Sequence, residues 1–311
     1  MYDVVALGEL LIDFTTQATD PDGYPTMTAH PGGAPANFLA AIAKFGGKAA
    51  LLGKVGTDTF GKLLTDTLRK AGIEMKGLVA SDKVFTTLAF VTLDENGDRE
   101  FAFARMPGAD TQLTFDELDL SLIDETRVFH FGTLSLTDEP ARSTTYRAVE
   151  YAKAHGKLVT YDPNLRKPLW RSLDEAKEQM LWGLRQADVV KISDEEVEFL
   201  FGLGAREGAQ YILGHFPAKL VFVTCGADGC WFQNRNAGGH VDSLKNIKVV
   251  DTTGAGDIFG GSAVWKLLQT DKAPEDLDEA ELREIVSFAC RAAGLSTMKH
   301  GGISSVPDSI S

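Results

Sequence analysis

Short apolar runs recur along the chain, and most are separated by longer segments with a helical pattern. Continuous apolar runs of this length are typical of strands buried on both faces of a parallel sheet. Examples are DVVALG, AALLGK, VFHFG, KLVTYD, ADVVKIS and KLVFVTC. The alternation predicts an α/β fold with a mostly parallel central sheet, right-handed crossovers and helices on both faces. Ligands of such sheets bind at the carboxyl ends of the strands.

The segments between these runs are predicted helices. The clearest are ANFLAAIAKFGG, TFGKLLTDTLRKAG, ARSTTYRAVEYAKAHG and DEAKEQMLWGLRQA. Several reach a glycine at the expected helix end, namely Gly46, Gly72 and Gly156. Glycine is favoured there because the residue that ends a helix often takes a left-handed conformation.

The stretch TTLAFVTLDENGDREFAFAR breaks this alternation. It has two β-patterned arms around Asn96-Gly97, a dipeptide typical of tight hairpin turns because both positions tolerate positive φ. A second strand-rich insertion has PDGYP as its turn. We expect one domain over residues 1–311, with a small β-sheet lid formed discontinuously by about 13–31 and 84–106. An antiparallel extension of the main sheet is the alternative.

Composition narrows the class of protein. The chain has 311 residues, 44% of them hydrophobic, and its 31 basic and 44 acidic residues give a net charge of −13. The size suits an enzyme with a sizeable core, and the acidity argues against an electrostatic surface for nucleic acid. No run of about 18 apolar residues predicts a membrane span. We therefore expect neither a nucleic-acid partner nor a membrane partner.

Cysteine and histidine usage indicates a cytoplasmic protein without a histidine metal site. Cys225, Cys230 and Cys290 lack CxxC spacing and are predicted to be buried thiols in a reducing compartment. The six histidines show no HxxxH or HExxH spacing. The first apolar strand comes almost at once, so we expect no signal peptide.

The stretch DTTGAGD, residues 251–257, precedes IFGGSAVWKLLQ, an apolar segment long enough for a buried helix. Gly254, Ala255 and Gly256 would lie at its N-terminus, where backbone amides lack intrahelical partners and the helix dipole is positive. Small side chains let phosphate oxygens approach those amides, so we expect an anion hole. Asp257 is placed to accept a proton from a hydroxyl that attacks a phosphoryl group. Alternatively, the small residues only permit close packing and Asp257 is an N-terminal charge.

A second glycine cluster favours ligand binding. Gly32 and Gly33 open another predicted helix, which has Asn37 in its early turns. Bare backbone, an amide that donates and accepts, and the Asp13 carboxylate at the end of GELLIDF suit a polyhydroxylated ligand. These residues predict a sugar site. A helix-capping role for Asn37 and a solvated loop position for Asp13 are the alternatives.

These stretches resemble the two signatures of the PfkB, or ribokinase-like, carbohydrate kinases. GGAPAN followed by GKVGTDTFG matches the first signature, DTTGAGD matches the second, and the resemblance covers essentially the whole chain. It implies a Rossmann-like three-layer α/β/α domain whose β-lid closes over a sugar, and transfer of the ATP γ-phosphate to a sugar hydroxyl. Asp257 matches the catalytic base, with Gly254, Ala255 and Gly256 as the anion hole. The matching sugar contacts are Asp13, Gly32, Gly33 and Asn37.

The resemblance also implies ATP and Mg²⁺ as cofactors. KISDEEVEFL resembles the N-x-x-E stretch of the family, which puts Lys191 at the nucleotide and Glu196 where it organises Mg²⁺ through water. Ser193 stands where many members have asparagine. VTCGADG matches the strand and turn that receive the nucleotide, and a plain hairpin is the alternative. The contacts in that match are Thr224, Gly226 and Gly229.

Two segments look like the loop pair that binds a monovalent cation in many relatives. They are the start of DTTGAGD and the stretch KHGGISSVP. The matching residues are Asp251, Thr253, Gly301 and Ser305. A potassium ion there would orient the anion-hole loop without touching the substrate.

Further segments resemble fructokinases within the family. FAFARMPGAD places Phe103 and Arg105 of the lid over the substrate, and TYDPNLRKPLW places Asn164 and Arg166 at a strand end facing the site. The planar guanidinium of Arg166 could brace sugar hydroxyls or the transferring phosphate. A surface ion pair beside Asp162 is the alternative for Arg166.

D-Fructose is therefore the expected acceptor. Kinases of 2-keto-3-deoxygluconate resemble this pattern, but they usually place tyrosines just before the lid arginine, where this chain has Phe103 and Ala104. Ribokinase activity is a further alternative, and a non-catalytic sugar or nucleotide sensor is the alternative from another class. The apolar faces of the hairpin could also pair two lids in a homodimer.

One competing motif is GTDTFGKL. It satisfies G-x₄-G-K but has Leu63 where a phosphate-binding loop needs Ser or Thr to ligate Mg²⁺. Gly61 and Lys62 also fall within a helical pattern. We interpret the match as accidental.

Overall fold

The apolar runs form a nine-stranded sheet in a computed structural model that describes residues 1–93 and 99–310. The strands of the chain are β1 (Tyr2–Leu7), β2 (Leu11–Thr19), β3 (Pro25–Gly32), β4 (Ala49–Gly56), β5 (Leu78–Ser81), β6 (Leu88–Leu93), β7 (Arg99–Ala104), β8 (Thr126–Gly132), β9 (Leu158–Asp162), β10 (Val189–Ser193), β11 (Leu220–Thr224), β12 (Cys230–Asn234) and β13 (Gly238–Val241). The order in the large sheet is β13-β12-β11-β10-β9-β8-β1-β4-β5. Pairing is parallel from β11 to β5, whereas β12 and β13 form an antiparallel edge. The mostly parallel sheet is confirmed.

Helices cover both faces of this sheet, which confirms the three-layer architecture. They are α1 (Ala34–Lys44), α2 (Thr59–Lys70), α3 (Leu120–Asp124), α4 (Ala141–Ala154), α5 (Leu173–Leu184), α6 (Asp194–Phe201), α7 (Ala205–His215), α8 (Ala255–Leu268) and α9 (Glu279–Ser296). Side chains alternate between the two faces of a strand. On β1, Val5 packs in the same core as Val149 of α4, whereas the adjacent Val4 packs in a second core with Leu39 of α1.

The helix ends follow the sequence. Gly46, Gly72 and Gly156 have φ of 94°, 76° and 66° just after α1, α2 and α4. This region of φ is accessible to glycine at little cost, and it lets the chain leave the helix. The predicted glycine ends of these helices are confirmed.

A separate four-stranded sheet, with the order β3-β2-β6-β7, contains the two insertions. Its central pair, β2 and β6, is parallel, and β3 and β7 are antiparallel to their neighbours. Phe14 of β2 stacks on Phe90 of β6 with ring centroids 5.3 Å apart, and it meets Phe60 of α2 edge-on. The alternative of an antiparallel extension of the main sheet is wrong. The predicted turn at Asn96-Gly97 lies outside the described residues.

The segment that imitates a phosphate-binding loop is a capped helix start. Asp58 accepts hydrogen bonds from the amides of Phe60 and Gly61, and Gly61 and Lys62 lie inside α2. A Cβ atom at position 61 would clash with the carbonyl oxygen of Gly56. Gly61 is therefore needed for the close approach of α2 to the end of β4.

In the part of the chain that the structure describes, no helix is both long enough and apolar enough to cross a membrane.

We predict that Gly61→Ala destabilises the fold, although alanine is the better helix former. The forced contact with Gly56 should cost about 1–3 kcal/mol in the free energy of unfolding, the usual range for overpacking. Gly214→Ala in α7 is the matched control, because an added Cβ there meets nothing within 4 Å. It should stabilise by roughly 0.5–1 kcal/mol. Urea unfolding of both variants measures the difference, and equal shifts would contradict the packing argument.

Candidate active site

A cavity of about 700 Å³ opens at the carboxyl ends of β1, β9, β10 and β11, beneath the second sheet. Most of the residues that the sequence predicts for the site line it: Asp13, Gly33, Asn37, Phe103, Asn164, Arg166, Lys191, Glu196, Thr224, Gly226, Gly229, Thr253, Gly254, Ala255, Gly256 and Asp257. The other predicted residues lie outside this lining: Gly32, Arg105, Asp251, Gly301 and Ser305. Residues from both ends of the chain thus meet at one edge of the sheet, as expected for this fold class.

The N-terminus of α8 points into the cavity. The helix begins at Ala255, with Gly254 before it in the left-handed region at φ 76°. Ala255 donates its amide to the carbonyl oxygen of Thr252 (3.3 Å), so the loop and the helix start are joined. A Cβ built on Gly254 would lie 2.9 Å from Cα of Gly302, and one built on Gly256 would lie 3.0 Å from Nζ of Lys191. Only small residues leave an open, positive helix end here.

The carboxylate of Asp257 is buried in the first turn of α8 and is held from two sides. Asn37 Nδ2 donates to its Oδ2 (2.9 Å), and Asn164 Nδ2 donates to its Oδ1 (3.0 Å). Burial raises the pKa of Asp257, whereas the hydrogen bond from Asn37 and the charges of Lys191 and Arg166 oppose that rise. The group is thus a carboxylate in a site with little water, with its charged form supported by amides and cations.

Lys191 of β10 is surrounded by carboxylates. Its Nζ lies 2.9 Å from Oδ2 of Asp162 at the end of β9. Burial opposes the charged form of Lys191, but Asp162, Glu196 and Asp257 outweigh it and raise its pKa. Burial is the main reason that the pKa of Asp162 rises to about 7. Repulsion from Glu196 and Asp257 adds to the rise, and Lys191 offsets only part of it. The single ammonium group of Lys191 therefore offsets the negative charge of several carboxylates.

Glu196 links two strand ends through its carboxylate. Its Oε2 accepts from the amide of Ser193 (2.9 Å), and its Oε1 accepts from the amide of Leu165 (2.7 Å). The hydroxyl of Ser193 accepts from the amide of Glu196 in return (3.2 Å), which completes a capping box at the start of α6. Serine and asparagine are comparable N-caps. The departure at Ser193 therefore preserves the helix start.

Asp13 and Gly33 form the opposite wall of the cavity, and Gly32 lies just outside its lining. Asp13 on β2 faces the cavity, and a Cβ on Gly32 would clash with its carboxylate. Gly33 has φ 111°, and a Cβ there would come 2.5 Å from the carbonyl oxygen of Glu9. The two glycines thus leave room for the carboxylate and for the turn into α1.

Arg105 is predicted to contact the substrate but lies outside the lining of the cavity. Its buried guanidinium donates to Asp110 Oδ2 (2.8 Å), Thr137 Oγ1 (2.7 Å) and the carbonyl oxygen of Leu134 (2.9 Å). Thr87 donates to the other carboxylate oxygen of Asp110. In this structure Arg105 ties the end of β7 to the main body, and a substrate contact by Arg105 stays a prediction.

Three residues that are predicted to contact the nucleotide, Thr224, Gly226 and Gly229, lie on the hairpin of β11 and β12. The two strands pair antiparallel around a short turn that contains Gly226, and a Cβ on Gly229 would clash with the carbonyl oxygen of Val241. The stretch is a hairpin, and Thr224, Gly226 and Gly229 also line the cavity. Residues 243–247 extend this wall, and no sequence motif marks them because they form an irregular loop.

Asp251 joins the two loops proposed for a monovalent cation. Its Oδ1 accepts from the amide (2.9 Å) and hydroxyl (2.7 Å) of Thr253, and its Oδ2 accepts from the amide of Gly301 (3.0 Å). Ser305 donates its hydroxyl to the carbonyl oxygen of Gly302 (2.8 Å). The loop before α8 is therefore held against the chain near residue 301.

Sequence reasoning missed Glu9. Its buried carboxylate lines the cavity and accepts from the amide of Ala34 (2.8 Å), so it caps α1, whose own N-cap residue Gly33 has no side chain. Burial raises the pKa of Glu9 to about 8, although backbone amides oppose this. An acidic residue directly after the buried run DVVALG was the available signal, because ligands bind at the carboxyl ends of such strands.

The chain is similar to known proteins over nearly its whole length. The family described as pfkB family carbohydrate kinase matches residues 1–309. Fructokinase-1 of Zea mays is 44% identical over 308 residues, which cover 98% of this chain and 94% of that protein.

Solved structures of fructokinases have the same fold. That of Xylella fastidiosa with bound ATP is 31% identical with a TM-score of 0.90, and the match covers 99% of this chain and 96% of that one. That of Vibrio cholerae with fructose, ADP and calcium ion is 32% identical with a TM-score of 0.86, over 98% and 96%. A double mutant of the Vibrio enzyme, with fructose, ADP and potassium ion, is 31% identical with the same TM-score and coverage.

We predict that Glu9→Gln changes how stability depends on pH. A folded-state pKa near 8, against an ordinary value near 4.5, means that the folded chain binds more protons between these values. The free energy of unfolding should therefore fall as pH rises from about 4.5 to about 8, by at most about 1.4 kcal/mol per pH unit for one group. Glutamine can still accept from Ala34 but cannot ionise.

The difference in stability between Glu9→Gln and the original chain should consequently grow with pH across this window. Urea unfolding at pH 5, 6, 7 and 8 measures it. Parallel pH profiles of the two proteins would show that Glu9 does not titrate in this window.

Proposed function

The chain belongs to the pfkB family of carbohydrate kinases, and we propose that it transfers the γ-phosphate of ATP to the primary hydroxyl of D-fructose, giving fructose 6-phosphate and ADP. The observation that carries this proposal is the buried Asp257 at the open N-terminus of α8, inside a cavity that Asp13 and Gly33 also line. The similarity to fructokinases over 98% of the chain supports the acceptor.

Asp257 acts as the general base. The primary hydroxyl of the sugar gives its proton to the carboxylate as its oxygen forms a bond to the γ-phosphorus, and the bond from that phosphorus to the bridging oxygen of ADP breaks. Asn37 and Asn164 support the ionised form that this step requires. General-base assistance contributes roughly 10²- to 10⁴-fold.

The start of α8 stabilises the transferred phosphoryl group. Gly254, Ala255 and Gly256 present a positive helix end without bulky side chains, and Lys191 lies beside Gly256. Fixed positive groups of this kind stabilise the charge of the phosphoryl oxygens, and most of the remaining acceleration comes from positioning. Arg166 lines the same cavity and suits the phosphate or a sugar hydroxyl.

A magnesium ion would arrive with ATP, because among the described residues no three acidic, histidine or cysteine side chains are placed to hold a metal ion by themselves. Asp162, Glu196 and Asp257 share Lys191, and among the described residues none donates a hydrogen bond to the buried Oδ1 of Asp162. Carboxylate oxygens are suitable ligands for Mg²⁺, which usually keeps several waters. Both oxygens of Glu196 already accept backbone amides, so Glu196 would act on the ion through water. The ion would neutralise phosphate charge.

The loops around Asp251 and Gly301 fit a monovalent cation. The Asp251 carboxylate holds the two loops together, because it accepts hydrogen bonds from Thr253 and Gly301. Both of its oxygens are therefore engaged, and backbone carbonyls of these loops would supply most ligands of the cation. Potassium ion is present in the Vibrio cholerae double mutant. A cation held there by Asp251, Thr253, Gly301 and Ser305 would keep the loop before α8 in place.

Several observations favour a neutral ketohexose over the alternatives. Phe103 lines the cavity, and no tyrosine precedes Arg105 to hold the acid group of 2-keto-3-deoxygluconate. A non-catalytic sensor would have no need of Asp257 and the open helix start, and this chain keeps both.

The remaining expectations extend this proposal. The chain forms one kinase domain, and the second sheet, with Asp13, Gly32, Phe103 and Arg105, acts as a lid over the sugar and excludes water that would hydrolyse ATP. The lid offers a surface for a homodimer. The three free cysteines support a cytoplasmic location.

We predict that Asp257→Asn lowers kcat by about two to four orders of magnitude, because asparagine cannot accept the proton. The fold and ATP binding should be retained, since the two side chains are nearly identical in size, although the new amide group loses the hydrogen bond from Asn37 or Asn164 and lowers stability somewhat. Asp271→Asn is the control, because Asp271 is exposed and asparagine tolerates its φ of 51°. A purified Asp257→Asn protein with normal turnover would remove Asp257 from the role of base.

We predict that D-fructose gives the highest kcat/KM in a coupled ADP-release assay with D-fructose, 2-keto-3-deoxygluconate and D-ribose. Omission of Mg²⁺ should abolish turnover, and addition of K⁺ should raise it if the Asp251 loops hold a cation. A preference for another sugar would correct the acceptor. Binding of sugar and ATP without any ADP release would indicate the sensor.

A further inference from the structure

We propose that Asn37 and Asn164 are positioning residues that hold the catalytic carboxylate of Asp257 between two side-chain amides. This inference rests on the proposed function, since it assigns their role in the same reaction. It changes the role that sequence resemblance gives to both residues, which is direct contact with the sugar.

The two amides approach different oxygens of one carboxylate. Asn37 reaches Oδ2 from α1 and Asn164 reaches Oδ1 from the loop after β9, at 2.9 Å and 3.0 Å. Asn37, Asn164 and Asp257 are all less than a tenth exposed. Two donors on opposite sides fix the plane of the carboxylate, so that its remaining lone pairs keep one direction.

The other half of the Asn37 amide is closed off from the cavity. Its Oδ1 is buried, and among the described residues no group donates to it. A Cβ on Gly302 would clash with that oxygen, so the backbone at residue 302 covers it. The oxygen therefore cannot accept a sugar hydroxyl in this conformation. Asn37 acts on the reaction through its Nδ2 group.

The backbone of Asn164 is fixed on both sides of the residue. The amide and hydroxyl of Thr133 both donate to the carbonyl oxygen of Pro163, and the amide of Leu165 donates to Glu196. Asn164 itself has φ 46°, a conformation that asparagine adopts more readily than most side chains. This anchored loop aims the side chain at Asp257.

The hydrogen bonds also oppose the electrostatic effect of burial on Asp257. Burial raises the pKa of Asp257, and the bonds from Asn37 and Asn164 act in the opposite direction. Lys191 of β10 and Arg166 also favour the ionised carboxylate, whereas Asp162 of β9 disfavours it. Loss of either amide should therefore leave a larger protonated fraction of Asp257 at neutral pH.

The test compares kcat and KM across pH for Asn164→Gly, Asn164→Asp and Asn37→Ala with Mg²⁺, ATP and D-fructose. Glycine keeps the positive φ and removes the amide, whereas aspartate keeps the shape and replaces a donor by a like charge. For Asn164→Gly we expect the acid limb of kcat to move up by about one pH unit, the scale of one hydrogen bond to a charged group. Its kcat on the acid limb should fall by about tenfold, recover in part at higher pH, and change more than KM for fructose.

Asn37→Ala should move the acid limb in the same direction, and Asn164→Asp should move it further, because two carboxylates would then be adjacent. Asp271→Gly is the control for backbone freedom at a positive φ outside the site and should leave the profile unchanged. A raised KM with an unmoved acid limb would overturn the inference in favour of sugar contact. An unmoved limb with a lower urea midpoint and lower kcat at every pH would overturn it in favour of a structural role.

The two proposals fail in different ways. If the original chain turns over no sugar, the proposed function is wrong. If the original chain is active, Asp257→Asn is not, and the three asparagine variants keep the original acid limb, then only the positioning role is wrong.

Discussion

The burial of the Asp257 carboxylate is the constraint on which the rest of the site depends. A charged group removed from water is costly unless donors and opposite charges face it. Here the compensation comes from Asn37 on α1, Asn164 after β9, Lys191 on β10 and the N-terminus of α8. Because these segments are remote in sequence, the carboxylate is supported only when the whole sheet edge has assembled. Folding and chemistry therefore share the same contacts.

The surrounding groups follow from the same electrostatics. Asp162, Glu196 and Asp257 are all buried near one ammonium group, and Glu196 is satisfied by two backbone amides. A cavity with this excess of carboxylates suits a ligand that brings its own divalent cation, and the open end of α8 suits the phosphates. Opposite charges thus lie side by side in one cavity, with Lys191 beside the carboxylates and Asp257 at the positive end of α8.

Sequence reasoning succeeded where a feature depends only on neighbouring residues. It was incomplete where a side chain had to find hydrogen-bond partners from distant parts of the chain. Gly254 to Asp257 were assigned to a helix start from their spacing, and α8 begins at Ala255. Arg105 was expected over the substrate, but its guanidinium donates to Asp110, Thr137 and Leu134. A side chain with several donors has many possible partners, and packing chooses among them.

By itself the sequence determined the parallel sheet, the helix ends at glycines, and the glycine-rich starts of α1 and α8, because these depend on periodicity and on conformational preferences within a few residues. Only the tertiary structure decided which polar atoms meet. The hydrogen bond from Asn37 to Asp257 joins residues 220 positions apart. The carboxylate that caps α1 belongs to Glu9, which follows the end of β1. Such contacts depend on which groups the fold removes from water together, and no local pattern in the chain encodes that.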